Sequence, residues 1–166
     1  MDNYQQVLVA LRRLIRATDL HSKHLVRTAG LTASQVLLLQ AINDESLVTS
    51  SQLARIISLS QATVTTILDH LEARGLVSRQ RSTEDKRKVY ISLTEQGRQV
   101  LATAPAPLQE HFIEQFRQLQ LDEQTTIIDS LQRVAQMMDA SDIDASPVLD
   151  VGMLDRLGVG SKREKR

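Results

Sequence analysis

A chain of 166 residues with 42% hydrophobic content is long enough for one compact domain with helical extensions, and its 20 basic and 20 acidic side chains cancel to a formal net charge of zero. The absence of cysteine excludes disulfides, thiolate metal ligands and cysteine redox sensing. No apolar run approaches the ~20 residues that span a bilayer, and the N-terminus lacks a charged-then-apolar leader, so no membrane partner and a cytoplasmic location are expected.

In chain order, residues 3 to 28 place Tyr4, Val7, Leu8, Leu11, Leu14, Ile15 and Leu25 on a helical stripe that Gly30 ends. Thr32 or Ser34 is positioned to cap a second helix through Val36, Leu37, Leu38, Leu39 and Ile42, closed by the Asn43-Asp44-Glu45-Ser46 turn. Val48-Thr49 leaves room for a stub of strand. Ser51 to Ile57 and Gln61 to Arg74 then read as two short helices separated by Ser58-Leu59-Ser60, which is helix-turn-helix spacing. Ser51 and Ser60 are the expected caps; Leu53, Ala54 and Ile57 face inward from the first of these helices, and Val64, Ile67, Leu68 and Leu71 from the second.

Gly75 stands where a C-terminal cap belongs. Beyond it, Val77 to Arg81 reads as a strand, Ser82 to Arg87 as a cationic tip, and Lys88 to Leu93 as a return strand with Val89, Ile91 and Leu93 on one face and Lys88, Tyr90 and Ser92 on the other. That hairpin is a β-wing, and Thr94 caps the helix that follows. Pro105 and Pro107 interrupt the later helices. Leu108, Phe112, Phe116 and Leu119 form one stripe; Ile127, Ile128, Leu131, Val134, Ala135 and Met138 form another after an expected Asp122 cap. These stripes and the first helix carry more apolar surface than a winged helix covers, which predicts pairing with a second copy.

Charge is unevenly spread. Residues 1 to 30 carry five Lys/Arg against two acids, residues 50 to 93 seven against four, and residues 94 to 140 three against seven. Phosphate attraction is screened over about 8 Å at physiological salt, so this local excess around the helix-turn-helix and wing outweighs the zero sum. The densest patch is Arg74, Arg79, Arg81, Lys86, Arg87 and Lys88.

The order helix, helix, helix-turn-helix, wing, long helices, with Asp85-x-Arg87 followed by Ile91-x-Leu93-Thr94-x-x-Gly97, resembles the MarR family of bacterial transcription regulators over roughly residues 5 to 139. Leu53-Ala54 and the run Leu71-Glu72-Ala73-Arg74-Gly75-Leu76-Val77 match it too. The resemblance implies a mainly α fold, a winged helix-turn-helix with a two-stranded wing whose N- and C-terminal helices intertwine in a homodimer. It further implies binding to pseudo-palindromic double-stranded DNA, mostly as a repressor, with release by a small-molecule effector. On this reading residues 1–30 are a dimerisation helix, 31–93 the DNA-binding domain with its wing at 77–93, 94–139 the C-terminal dimerisation helices, and 140–166 a flexible tail. Ser58 stands where family members often carry glycine, and Thr66 where they often carry arginine.

The residues support those roles. Ser60 and Gln61 open the second helix of the motif and reach base edges or phosphates, Gln61 having the bidentate geometry for adenine. Ala62, Thr65, Thr66 and Asp69 lie opposite the buried stripe; a threonine offers a hydroxyl to any base and a methyl to thymine. Asp69 and His70, farther along, suit orientation or phosphate contact. Arg87 is expected in the minor groove, with Asp85, by the family motif, orienting it and bracing the loop. Arg79, Arg81, Lys86 and Lys88 are expected phosphate contacts.

Other chemistry is poorly served. His21 and His24 stand i,i+3 and a shared metal with His111 is conceivable, but no cysteine or suitably spaced glutamate joins them, so no metal and no cofactor are expected. No nucleophile elbow or phosphate-binding glycine loop is present, and an enzyme is not expected. The stretch Leu11 to Lys23 is similar to a subgroup of the same family that controls compatible-solute genes (ectoine or betaine). The alternative class is a winged helix used for docking an acidic protein partner.

Overall fold

The second helix buries more of its residues than any other described helix, and the core is built around it. The computed structural model describes residues 2–45 and 47–143. Helix α1 spans Asn3–Ala29, α2 Ala33–Asp44, α3 Ser50–Ile56 and α4 Gln61–Ala73; strands β1 (Val77–Arg81) and β2 (Val89–Leu93) follow, then α5 (Glu95–Thr103), α6 (Leu108–Arg117) and α7 (Leu121–Met137). From α2, Val36, Leu38, Leu39 and Ile42 are buried among Leu53 of α3, Val64, Ile67, Leu68 and Leu71 of α4, and Ile91 and Leu93 of β2. Leu25 near the end of α1 is fully buried in the same core, and Val100 and Leu101 of α5 pack against it, so one core runs across the expected boundaries at residues 30 and 94. The expected tail lies outside the described residues from residue 144 onward.

Helix boundaries follow side chains that satisfy orphan backbone donors. Thr32 caps α2 in a reciprocal box with Gln35. The same device corrects the expected cap of α3: Thr49, not Ser51, accepts from the Gln52 backbone N–H while the Gln52 side chain accepts from the Thr49 N–H, and the helix begins at Ser50. At α7 the cap is Gln120 in a box with Glu123, not Asp122, which lies in the first turn where its charge meets the helix dipole. Ser60 and Thr94 cap α4 and α5 as expected. Pro107 ends the break between α5 and α6.

The wing is an antiparallel pair, Val77 opposite Leu93, Arg79 opposite Ile91 and Arg81 opposite Val89. The return strand starts at Val89, one residue later than expected, because Lys88 donates its backbone N–H to the Asp85 carbonyl within the tip. The Val48 stub pairs with Ile91, whose N–H donates to the Val48 carbonyl at 2.8 Å. A tight knot joins the wing base to the helices. Thr94 donates its hydroxyl to the Gly75 carbonyl at 2.6 Å and accepts from the Gly97 N–H at 3.0 Å. Gly97 is required by close approach: a Cβ there would stand 2.0 Å from the Leu76 carbonyl oxygen.

Away from this core the long helices are bare. In α1, Tyr4, Val7, Leu8, Leu14, Ile15 and Leu20 are exposed, as are Phe112 of α6 and Ile128, Leu131 and Met137 of α7. Neither α6 nor α7 contains a buried residue. No single helix among the described residues is long and apolar enough to cross a membrane.

Candidate nucleic-acid interface

Burial of Val64, Ile67, Leu68 and Leu71 turns the opposite face of α4 outward, and Gln61, Ala62, Thr65, Thr66, Asp69 and His70 are all exposed there. Two details refine what this face offers. Thr65 and Thr66 donate their hydroxyls to the Gln61 and Ala62 carbonyls at 2.9 and 3.1 Å. Each therefore presents oxygen lone pairs and a methyl outward, suited to an exocyclic amine of adenine or cytosine or to the thymine methyl. Ser60 is held by its capping role, its hydroxyl accepting from the Thr63 N–H at 3.1 Å and paired with the Thr63 hydroxyl at 2.8 Å. The Gln61 side-chain amide makes no hydrogen bond among the described residues.

The turn before α4 is set by Ser58, whose φ of 55° is left-handed. Leu59 donates to the Ala54 carbonyl across it, the six-to-one bond that ends helices with a left-handed residue. A serine rather than glycine carries this conformation, with the strain its Cβ brings.

The wing tip is closed on itself. Ser82 accepts from the Glu84 and Asp85 backbone N–H groups at 3.2 Å, and the Asp85 carboxylate accepts from the Arg87 backbone N–H at 3.0 Å. Asp85 thus braces the loop through the Arg87 main chain in an Asx turn, and no ion pair joins the two side chains. Arg81, Lys86, Arg87 and Lys88 are exposed and form no ion pair among the described residues.

Arg79 departs from expectation. Its two terminal nitrogens lie 2.7 Å from Asp69 and 2.7 Å from Glu72, both on α4. Burial on its own would lower its pKa, but the hydrogen bond to Asp69 and the charges of Glu72 and Asp69 prevail and the net shift is upward. Arg79, expected as a phosphate contact, is thus engaged by Asp69 and Glu72 in the DNA-free protein. Arg74, another member of the basic patch, donates to the Gly30 carbonyl at 2.6 Å.

One cation escaped the sequence reading. An open groove of about 540 Å³ runs between α3, the start of α4 and the returning wing strand, and Arg55 lines it together with Ser51, Gln61, Arg87, Lys88 and Tyr90. Arg55 makes no ion pair among the described residues. Its position between the inward-facing Ala54 and the turn was the available signal: a cation on the outer face of the helix that precedes the turn. The histidines form no such cluster. No group of three or more potential metal ligands occurs among the described residues, and His24 lies 3.4 Å from Arg27 instead.

Comparison with known proteins supplies the relatives of this arrangement. A family model described as the MarR family matches residues 31–89, from the end of α1 to the start of β2. The chain is 33% identical over 104 residues to the HTH-type transcriptional regulator SarZ of Staphylococcus haemolyticus, a match covering 63% of this chain and 69% of the relative. It is 31% identical over 115 residues to SarZ of Staphylococcus aureus, covering 68% and 75%. Among solved structures, a MarR variant from E. coli complexed with operator DNA superimposes with a TM-score of 0.53 at 23% identity, covering 81% of this chain and 99% of that one, a likeness of fold. None of these names refers to compatible solutes.

Proposed function

Because the chain belongs to the MarR family of HTH-type transcriptional regulators, we propose that it acts as a homodimeric repressor that places α4 in the major groove and the wing in the flanking minor groove of an inverted-repeat operator. The observation that carries this reading is the pairing of an outward face of α4, with Gln61, Thr65 and Thr66 at its first turns, with neighbouring cations at Arg55, Arg81, Lys86, Arg87 and Lys88 that form no ion pair among the described residues. The α-helix reads bases by its side chains; the cations neutralise phosphate and, in a narrow groove, sense its width. Ser60, Ala62 and His70 border the same surface.

In this division of labour residues 31–93 read DNA, while residues 1–30 and 94–139 hold the two copies together through the bare faces of α1, α6 and α7. A repressor working on chromosomal promoters would reside in the bacterial cytoplasm. By the family resemblance, a small ligand bound between the dimerising helices and the DNA-binding base would release the operator.

The test is footprinting of the purified full-length protein on genomic fragments, with and without candidate solutes. Symmetrical protection of an inverted repeat supports the reading. Binding that is indifferent to DNA sequence, together with retention of an acidic protein, would replace it with a docking role.

A further inference from the structure

A two-stranded ribbon is marginally stable alone, and its orientation depends on what anchors it. Here the base is anchored by the Thr94 knot, and the middle of β2 is anchored by the Val48 bridge. Arg79, midway along β1, faces the helices because it shares a sheet face with buried Val77 and sits opposite buried Ile91. Its fork divides between two carboxylates one helical turn apart on α4, with 2.7 Å to each. A planar guanidinium suits that geometry and an ammonium does not.

We propose that Arg79 is a positioning residue for DNA recognition and not a DNA contact: it clamps the wing to the recognition helix, fixing the offset between the major-groove and minor-groove readers. The inference rests on the functional reading above, that α4 and the wing engage one duplex. Releasing Arg79 to a phosphate would leave Asp69 and Glu72 uncompensated on the face turned toward the duplex, so the trade is electrostatically unfavourable.

The experiment measures operator and random-sequence affinity against salt for the full chain, its Arg79→Gln and Arg79→Glu variants, and the charge-swapped double variant Asp69→Lys with Arg79→Glu. The swap keeps both the local net charge and an opposed pair. With a clamp, Arg79→Gln lowers operator affinity about tenfold or more, leaves random-DNA affinity within about threefold, and keeps the wild-type salt slope; the swap recovers most of what Arg79→Glu loses. If Arg79 touches phosphate, the slope falls by ~0.9 per subunit, operator and random DNA weaken alike, and whatever the swap regains through its added cation it regains on operator and random DNA equally. That result, or unchanged operator affinity in Arg79→Gln, overturns the proposal. Hydrogen exchange without DNA gives an independent reading: amides of β1 and β2 should exchange faster in Arg79→Gln while the core of α2 is unaffected, and equal rates would refute the clamp. Wild-type protein with no sequence preference would overturn the functional reading instead, and the exchange data would still decide whether the clamp exists.

Discussion

The Asp85 carboxylate accepts the backbone N–H of Arg87 at 3.0 Å, and that contact sets what each substitution at the wing tip should do. Asparagine retains an acceptor oxygen at the same place, so Asp85→Asn should keep operator affinity close to wild type. Asp85→Ala should weaken it, although removing an acid beside phosphate would on charge alone strengthen binding. Gel-shift titration of both variants distinguishes them; tighter binding by Asp85→Ala with an intact fold would show that the brace is dispensable. Arg87→Ala should lose preference for AT-rich flanks, whereas Lys86→Ala and Arg81→Ala should weaken all DNA alike and lower the salt slope by ~0.9 per contact. Ser58 offers a stability counterpart. Its left-handed φ predicts that Ser58→Gly stabilises the protein by ~0.5 to 1 kcal/mol in urea unfolding, with DNA affinity unchanged.

Among the elements, what was legible in the sequence is separated from what was not by the range of the interaction. The wing strands, the helix-turn-helix and its buried stripes follow from local periodicity, and they appear within one residue of where that periodicity puts them. The cap of α3 was misplaced because three hydroxyls stand in a row, Thr49, Ser50 and Ser51, and each competes for the same role. Gln52 resolves the choice: a box needs the amide three residues after the cap, which selects Thr49. The same rule applied to Gln120 and Glu123 corrects Asp122. The pairing of Arg79 with α4 is a different case. Strand alternation from Val77 already puts Arg79 on the inner face, but its partners come from another element, and charge density alone could not separate an internal clamp from a phosphate contact. The Thr94–Gly97 knot predicts its own fragility. Thr94→Val removes both an acceptor for the Gly97 N–H and a donor to Gly75, which should cost about 1 to 3 kcal/mol in thermal unfolding. Gly97→Ala should be worse, since the clash is with main chain that has no rotamer to change.

For the whole molecule, the decisive feature is the contrast between a closed core around α2 and the bare faces of α1, α6 and α7. Side chains such as Leu14, Ile15, Phe112, Ile128 and Leu131 are about half exposed, so covering what remains is worth ~0.7 to 1.5 kcal/mol each, enough in aggregate over both copies to hold a dimer at low concentration. Sedimentation should therefore show a dimer at micromolar protein, and Leu14→Glu combined with Leu131→Glu should yield monomers that lose operator affinity while the base remains folded. A well-folded monomer in the wild type would contradict that arrangement. The two copies of α4 would then face one side of a duplex with half-site centres ~10 bp apart.

Hydroxyl-radical footprinting of the full-length dimer on its operator, repeated across a salt series, tests the proposed recognition most directly. Twofold-symmetric protection is expected over two half-sites about one helical turn apart, with AT-rich flanks shielded where the wings lie and affinity falling steeply as salt rises. Protection of a single asymmetric half-site at saturating protein, or protection without sequence preference, would contradict it.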